Sequence, residues 1–338
     1  QPLSMFLLLE CTPPDRQGRA LSLFGLGVVM APAMGPAVAG WVVDHAGWQV
    51  VFVLGVVPAL LAGSLVYFGT TPEQKAETLP ASGVFDWPGL IVLALLVTGV
   101  FLWPLSWAVS GWAGFLHALL WLLSLRGFWL WQTRRAHALI PTDLFRQRGF
   151  VRSAMVTSVY GAGMYGSIFL IPLLLQDGFG VSAAMTGNLL LIGGVALAAS
   201  IVIAGRLVDV YSPRLILVLG MLSFTLSCLL LAVSENLLIF ALAIALSRVG
   251  LGSIIPSLYS AMARTVHSDE LRQATSMTTL LRQGGGALGI VVLGLGIPWV
   301  SALPGGLEQG LPEVYGWLFG LLALLFGVGV LLAGKLGR

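Results

Sequence analysis

Charged residues are scarce in this chain of 338 residues, at 9% of the total against 57% hydrophobic residues. Soluble domains carry about 25% charged residues, so this chain has too few charges to cover a water-facing surface. The scarcity excludes a soluble globular domain, a disordered chain and a nucleic-acid-binding protein, despite the net charge of +3. The two cysteines, Cys11 and Cys228, lie in or beside apolar runs and give no reason to expect a structural disulfide. A polytopic membrane protein remains.

Long apolar runs take the place of the missing charges and predict transmembrane helices. A chain that crosses a bilayer satisfies its backbone hydrogen bonds internally, as helices or as a closed barrel. Barrel strands alternate polar and apolar residues over about 10 positions. The runs here continue for about 20 residues, the length of a helix that crosses the ~30 Å hydrocarbon core. We therefore predict an all-α, polytopic membrane helix bundle. The ten predicted full spans are 20–43, 48–68, 87–109, 112–133, 150–175, 182–204, 213–233, 236–262, 272–299 and 312–334, with a partial span at 1–11.

Basic residues mark alternate connections between the predicted spans. These connections, the first residues of the spans that follow them and the C-terminus contain 14 of the 17 Lys and Arg residues, and the intervening connections contain none. Because loops rich in Lys and Arg face the cytoplasm, the pattern predicts a multi-pass protein of the cell (inner) membrane with a cytoplasmic C-terminus.

Two of the cytoplasmic connections are longer than turns and divide the chain into parts. Half-bundles joined by a long inner loop are typical of transporters. The predicted parts are the remainder of an N-terminal half-bundle (1–68), a cytoplasmic linker (69–86), an accessory helical hairpin (87–133), a basic cytoplasmic loop (134–149) and a C-terminal half-bundle of six helices (150–338).

A weak internal repeat relates the two ends of the chain. A shift of 254 positions aligns residues 2–38 with residues 256–292 and gives eight identities, among them Gly35 with Gly289 and Asp15 with Asp269. By this symmetry the chain starts late in the first half-bundle, and we expect about three further helices ahead of Gln1.

The most distinctive motif is the run APAMGPAVAG at residues 31–40. Gly35 and Gly40 allow a neighbouring helix to approach closely, while Pro32 and Pro36 each remove a backbone hydrogen bond and bend the helix. Ordinary small-residue packing would explain the same run. The run resembles the antiporter motif, gxxxGPxxGG, of exporters in the major facilitator superfamily, although alanine replaces a usual glycine at positions 31 and 39.

Other stretches resemble the same family in their order and spacing. Residues 2–20 resemble the end of its fourth helix and the following loop, and residues 85–89 resemble the start of the extra hairpin in its fourteen-helix drug:proton antiporter branch. Residues 205–214 are similar to its second GxLaDrxGRR motif, and residues 281–289 to its penultimate pair of helices. The resemblance implies a major facilitator fold that lacks its first three helices. It also implies secondary active, proton-driven efflux of hydrophobic or amphipathic compounds.

Candidate substrate residues follow from the fold that the resemblance implies, in which the first and fourth helices of each repeat pair line the central path. Flexible Met and flat aromatic side chains suit apolar cations or amphiphiles, and a charge within a span is costly unless it faces a cavity. Packing inside the bundle or against lipid is the alternative for each residue. The candidates are Tyr160, Met164, Tyr165, Arg248, Ser253 and Ser257.

Candidate gating or helix-packing residues are small residues or charges near helix ends. Asp209 and Arg214 lie at the cytoplasmic ends of consecutive predicted helices, where a carboxylate can cap a helix and pair with arginine. A solvated loop is the alternative for Arg214. The full set is Gly35, Pro36, Gly40, Asp209, Arg214, Arg282, Gly285 and Gly289.

The absence of certain residues and motifs from the sequence excludes further classes of function. No Asp or Glu lies deep in a complete predicted span, so the resemblance implies that the coupling carboxylate belongs to the family's first helix. The sequence contains no nucleophile–base pair, metal-ligand cluster or Walker loop. We therefore expect no enzyme activity, no cofactor and no metal, with a proton gradient as the energy source.

The expected partners are a small-molecule substrate and the lipid bilayer, and no nucleic acid. The sequence leaves a periplasmic adaptor open. Two alternatives to drug efflux also remain open, namely a facilitator or symporter of a specific metabolite on the same fold and a truncated, non-transporting remnant.

Overall fold

The structure, a computed structural model, describes residues 35–69, 86–135, 139–234, 236–263, 266, 270–301 and 311–336, without the side chains of residues 104, 105, 108, 209, 263, 271 and 272. In these ranges the chain is built from helices. They are α1 (35–46), α2 (Trp48–Gly69), α3 (Trp87–Val109), α4 (Gly111–Gln132), α5 (Arg148–Leu173), α6 (Ala183–Val210), α7 (Pro213–Val233), α8 (Leu237–Ala263), α9 (Leu271–Ser301) and α10 (Leu311–Ala333). A 3-10 turn covers Thr142–Arg146, and a π-helical turn, Leu174–Gly178, continues α5.

The predicted all-α membrane bundle is confirmed for the part of the chain that the structure describes. Eight of the described helices are long and apolar enough to cross a membrane, and α3 carries a shorter apolar stretch at Trp87–Trp103. The predicted spans from residue 48 onward end within six residues of α2–α10. The predicted partial span 1–11 and most of span 20–43 lie outside the described residues.

Helix α7 shows why these helices belong in lipid. Its inward face is buried, with Leu217, Met221 and Phe224 all at 0% exposure. Its opposite face carries leucines at intervals of three or four residues, each about half exposed, namely Leu215, Leu219, Leu222, Leu226 and Leu229. A helix that is apolar on all sides is stable when it is fully buried or when lipid covers its outer face.

By its internal contacts the chain forms two compact units, residues 46–146 and residues 1–45 with 147–338. The finer division into five parts stays a prediction. In the second unit, α8 packs against α6 and α7, while α5 packs against α9 and α10. The core contains the rings of Phe224 and Phe326, whose centroids are 4.0 Å apart and whose planes are tilted by 34°. Gly163 of α5 leaves the space for the Phe326 ring.

In the unit 46–146, α3 and α4 form a hairpin that partly buried polar contacts close. Trp121 Nε1 donates to the carbonyl of Leu96 at 2.7 Å, and Trp103 Nε1 donates to the carbonyl of Gly114 at 3.1 Å. Ser110 caps α4 by accepting from the backbone N–H of Ala113. These bonds hold the two helices in register without any charged group.

A polar network joins the other ends of the hairpin. Asp86 caps α3, because Oδ1 accepts from the N–H of Gly89 at 3.0 Å and Oδ2 accepts from Gln132 Nε2 at 2.9 Å. Gln132 Oε1 in turn accepts from the N–H of Ile140 at 3.3 Å. A Cβ at Gly89 would lie 2.7 Å from Gln132 Nε2, so the glycine leaves room for the network. The bond from Gln132 is the largest of the effects that lower the pKa of Asp86.

Replacing Gln132 by methionine should therefore destabilise the protein in a pH-dependent way. A carboxyl group with a lowered folded pKa stabilises the fold above its ordinary pKa of about 3.9, and that contribution is lost as the pH falls through the lowered value. The melting temperature of Gln132→Met should lie below that of the wild type at neutral pH, and the gap should close in acid. The same substitution in an Asp86→Asn background should show no such pH dependence, and a gap that stays constant down to strong acid would contradict the assignment.

Candidate functional site

Arg248 is a buried cation near the middle of α8. It lies eleven residues, or about 16 Å, from the first residue of the helix and is 7% exposed. Its Nη1 donates to Ser167 Oγ of α5 at 3.5 Å, and Gly193 of α6 leaves room for its stem. Among the side chains that the structure describes, no carboxylate lies within ion-pair distance of Arg248. A charge placed so deeply in a membrane helix is typical of a functional site.

The aromatic candidates share one stretch of α5. Tyr160 is 1% exposed and belongs to the apolar core, while Met164 and Tyr165 are half-buried. The Tyr165 ring packs where Gly286 of α9 has no side chain. Tyr160, Met164 and Ser167 are spaced by four and three residues, so they lie on one face of α5. The hydroxyl group of Ser167 on this face contacts Arg248. Their contact with a substrate stays a prediction.

The two serine candidates use their hydroxyl groups within the protein. Ser253 Oγ donates to the carbonyl of Val249 at 2.8 Å and lies 3.0 Å from Ser200 Oγ of α6. Ser257 is fully buried and donates to the carbonyl of Ser253 at 2.7 Å. Gly252, directly before Ser253, lets the backbone of α8 approach Leu197 and Ser200. The geometry therefore accounts for both hydroxyl groups through helix packing, and a role in binding substrate stays a prediction.

Glycines bring the backbones of α5 and α9 into direct contact. A Cβ at Gly285 would collide with the backbone of Ser158, at 2.8 Å from its Cα, and a Cβ at Gly289 would lie 2.8 Å from Cα of Ala162. From the other side, a Cβ at Gly161 would meet the backbone of Arg282. Arg282 itself is half-buried, and the structure places its backbone at the crossing. Sequence reasoning missed Gly161, which carries no motif of its own.

A second close contact joins α1 to the start of α6. A Cβ at Gly40 would collide with the backbone of Ala183, and a Cβ at Gly187 would collide with the backbone of Pro36. Asp44 of α1 completes the contact, because its Oδ2 accepts from the N–H of Ala184 at 2.8 Å. Two of the three predicted residues of the antiporter-like run, Pro36 and Gly40, therefore lie at this contact.

The remaining packing candidates lie outside these contacts or outside the described side chains. No described atom lies within 4 Å of a Cβ built on Gly35. The side chain of Asp209 is not among those described, and Arg214 is half-buried in the first turn of α7. The predicted pairing of Asp209 with Arg214 stays a prediction. Within the described residues, no three His, Cys, Asp or Glu side chains come together as a metal site.

These features define a class, a polytopic membrane protein with glycine-mediated helix crossings and a buried cation in its C-terminal bundle. The sequence profile of the Major Facilitator Superfamily matches residues 1–290 and again residues 153–338. The chain belongs to the Major Facilitator Superfamily.

Relatives and a solved structure agree with this assignment. The chain is 24% identical to the multidrug transporter protein MdtP of Bacillus subtilis, over 87% of this chain and 55% of that protein. It is 24% identical to the multidrug resistance protein B homolog of Mycobacterium tuberculosis, over 86% of this chain and 55% of that protein. The chain thus spans about half the length of these curated relatives.

The fold is also similar to a crystal structure of a bacterial homologue of the human lysosomal transporter Spinster in an inward-facing and occupied conformation. The TM-score is 0.53 at 15% identity, over 98% of this chain and 72% of that chain. At this identity the likeness shows the fold alone.

Proposed function

We propose that the protein carrying this sequence is a secondary active exporter of hydrophobic or amphipathic compounds and that inward proton flow drives it. Family membership and the names of its multidrug relatives support this function. We propose that this transport requires no cofactor, since the proton gradient supplies the energy.

The contact between α1 and α6 is the observation that carries the proposal. The run that resembles the antiporter motif meets the backbone of α6 at Gly40, and Asp44 caps α6 from the same helix. Transport by alternating access needs helices of the two halves to pack in one state and separate in another. A contact built from glycine and a single carboxylate can open at little cost, because no large side chain has to be repacked.

The experiment is an accumulation assay in cells that express the protein. Expressing cells should retain less of an amphipathic fluorescent dye than cells with an empty vector, and a protonophore should abolish the difference. Equal dye levels in both cell types would contradict efflux. A difference that survives collapse of the proton gradient would contradict proton coupling.

The proposed orientation places the C-terminus and the basic loop 134–149 in the cytoplasm. The loop carries Arg134, Arg135, Arg146 and Arg148, which favour the cytoplasmic side. The opposite end of the hairpin, at Ser110, has no basic residue nearby. A bacterial inner membrane is the location we propose.

Cysteine labelling checks this orientation. With Cys11 and Cys228 replaced by serine, we expect an impermeant maleimide to label Ser110→Cys in intact cells and to label Asp143→Cys only after permeabilisation. Both positions are exposed, so access to the reagent differs only by the side of the membrane. Strong labelling of Asp143→Cys in intact cells would reverse the proposed topology.

A further inference from the structure

We propose that Arg248 binds the acidic group of an anionic amphiphile, so that the transported compounds include organic acids with an apolar body. The proposal rests on the proposed export function and names a substrate class for it. It starts from one fact of the structure, a guanidinium that is 7% exposed and has no described carboxylate beside it.

The neighbours of Arg248 orient its side chain without neutralising it. Ser167 donates its own hydroxyl proton to the carbonyl of Met164 at 3.0 Å, so its oxygen is left to accept from Arg248 Nη1. On α6, a Cβ at Gly193 would lie 3.0 Å from Arg248 Cγ, and the glycine contributes no charge. The arginine is thus held in place while four of its five N–H donors remain for another acceptor.

The acidic side chains that the structure describes in the C-terminal bundle, those of Asp177, Glu270 and Glu313, lie at helix ends and away from the middle of α8. The sequence has seven Asp and Glu residues after residue 147. They are Asp177, Asp209, Glu235, Asp269, Glu270, Glu308 and Glu313. Arg248 lies about 16 Å along α8 from its first residue. A buried guanidinium requires a counter-charge, and the described part of this bundle offers none at that depth.

A carboxylate on a substrate fits this requirement in geometry and in polarity. Guanidinium is planar and binds a carboxylate through two parallel N–H···O bonds, and it keeps its charge at every pH of interest. Ile244, which lies with Arg248 in the space beside Gly193, is apolar and suits the body of an amphiphile. Charge pairing is strong there because water is largely excluded.

The test compares two probes that differ only in charge, a dansyl-labelled fatty acid and its neutral amide, in proteoliposomes with an imposed pH gradient. Arg248→Gln should lower the transport efficiency for the acid at least about tenfold and leave the amide within about twofold of the wild type. Arg248→Lys should retain part of the acid transport, because it keeps the charge but not the planar fork. Arg206→Gln, which removes an exposed arginine of α6, is the matched control and should resemble the wild type.

The outcomes separate this inference from the proposed function. If the wild-type protein moves neither the fatty acid, its amide nor a cationic dye, the export function itself fails. If it moves them and Arg248→Gln lowers all of them equally, Arg248 pairs with a carboxylate of the protein and the inference is overturned. Thermal stability provides a second measurement, because loss of an unpaired buried charge should not lower the melting temperature, whereas loss of one partner of an ion pair should.

Discussion

Replacing Gly285 by valine should abolish transport and lower the melting temperature of the protein. The reason is the crossing of α5 and α9, where a Cβ at Gly285 would lie 2.8 Å from Cα of Ser158 and closer still to the carbonyl oxygen of that residue. Real Cβ atoms do not approach backbone so closely, so the helices have to separate. Overpacking of this kind costs about 1–3 kcal/mol.

The loss of stability in Gly285→Val is expected to be large because backbone meets backbone where α5 crosses α9. Gly285 and Gly289 are four residues apart and lie on one face of α9, and Gly161 faces them from α5. In a membrane, helices associate through close packing of small residues, since lipid provides no hydrophobic force between them. A side chain at one glycine therefore opens the contact along more than one helical turn.

A neighbouring glycine provides the matched control. No described atom lies within 4 Å of a Cβ at Gly284. Gly284→Ala should therefore leave transport and melting temperature close to the wild type, or raise stability slightly because alanine favours helix. Gly285→Ala should fall between the valine variant and the wild type. Equal effects at 284 and 285 would show that the loss comes from helix flexibility and not from the crossing.

The helices could be predicted from the sequence because their signal is local. Twenty consecutive apolar residues bounded by polar turns predict a membrane helix without any knowledge of its neighbours. The small-residue motifs likewise pointed to Gly40, Gly285 and Gly289, whose missing side chains the structure places at helix crossings. Their function in gating stays a prediction.

The partners across those crossings could not be predicted, because each lies far away in the sequence. Gly161 faces Arg282 over 121 positions, and Asp44 caps Ala184 over 140 positions. The sequence also does not show where a hydroxyl group in a helix finds its hydrogen-bond partner. Ser253 and Ser257 were predicted as cavity residues from their hydroxyl groups, but both hydroxyl groups bond to the backbone of their own helix. A serine in a membrane helix can satisfy its hydrogen bond within one turn, which the sequence does not reveal.

Replacing Gly40 by valine should cause the second large loss of transport. The Cβ at this position would collide with the backbone of Ala183 at the first residue of α6, so the contact of α1 with α6 cannot form. A cost of about 1–3 kcal/mol in the state that makes this contact shifts a two-state equilibrium about 5- to 150-fold. The alternating cycle then spends most of its time in the state where the contact is open.

Asp44→Asn tests the same contact without adding volume. The carboxylate accepts from the N–H of Ala184 in the first turn of α6, where a negative charge is stabilised by the helix dipole. Asparagine keeps an oxygen that can accept this bond and removes only the charge, which is worth about 0.3–1 kcal/mol at a helix N-terminus, so we expect a smaller loss of transport than for Gly40→Val. Both variants should increase the rate at which an impermeant maleimide labels Ala184→Cys. Gly55→Val, on an exposed face of α2, should change neither transport nor labelling. If Gly40→Val transports normally while Ala184→Cys labels faster, the contact forms in the structure but transport does not depend on it.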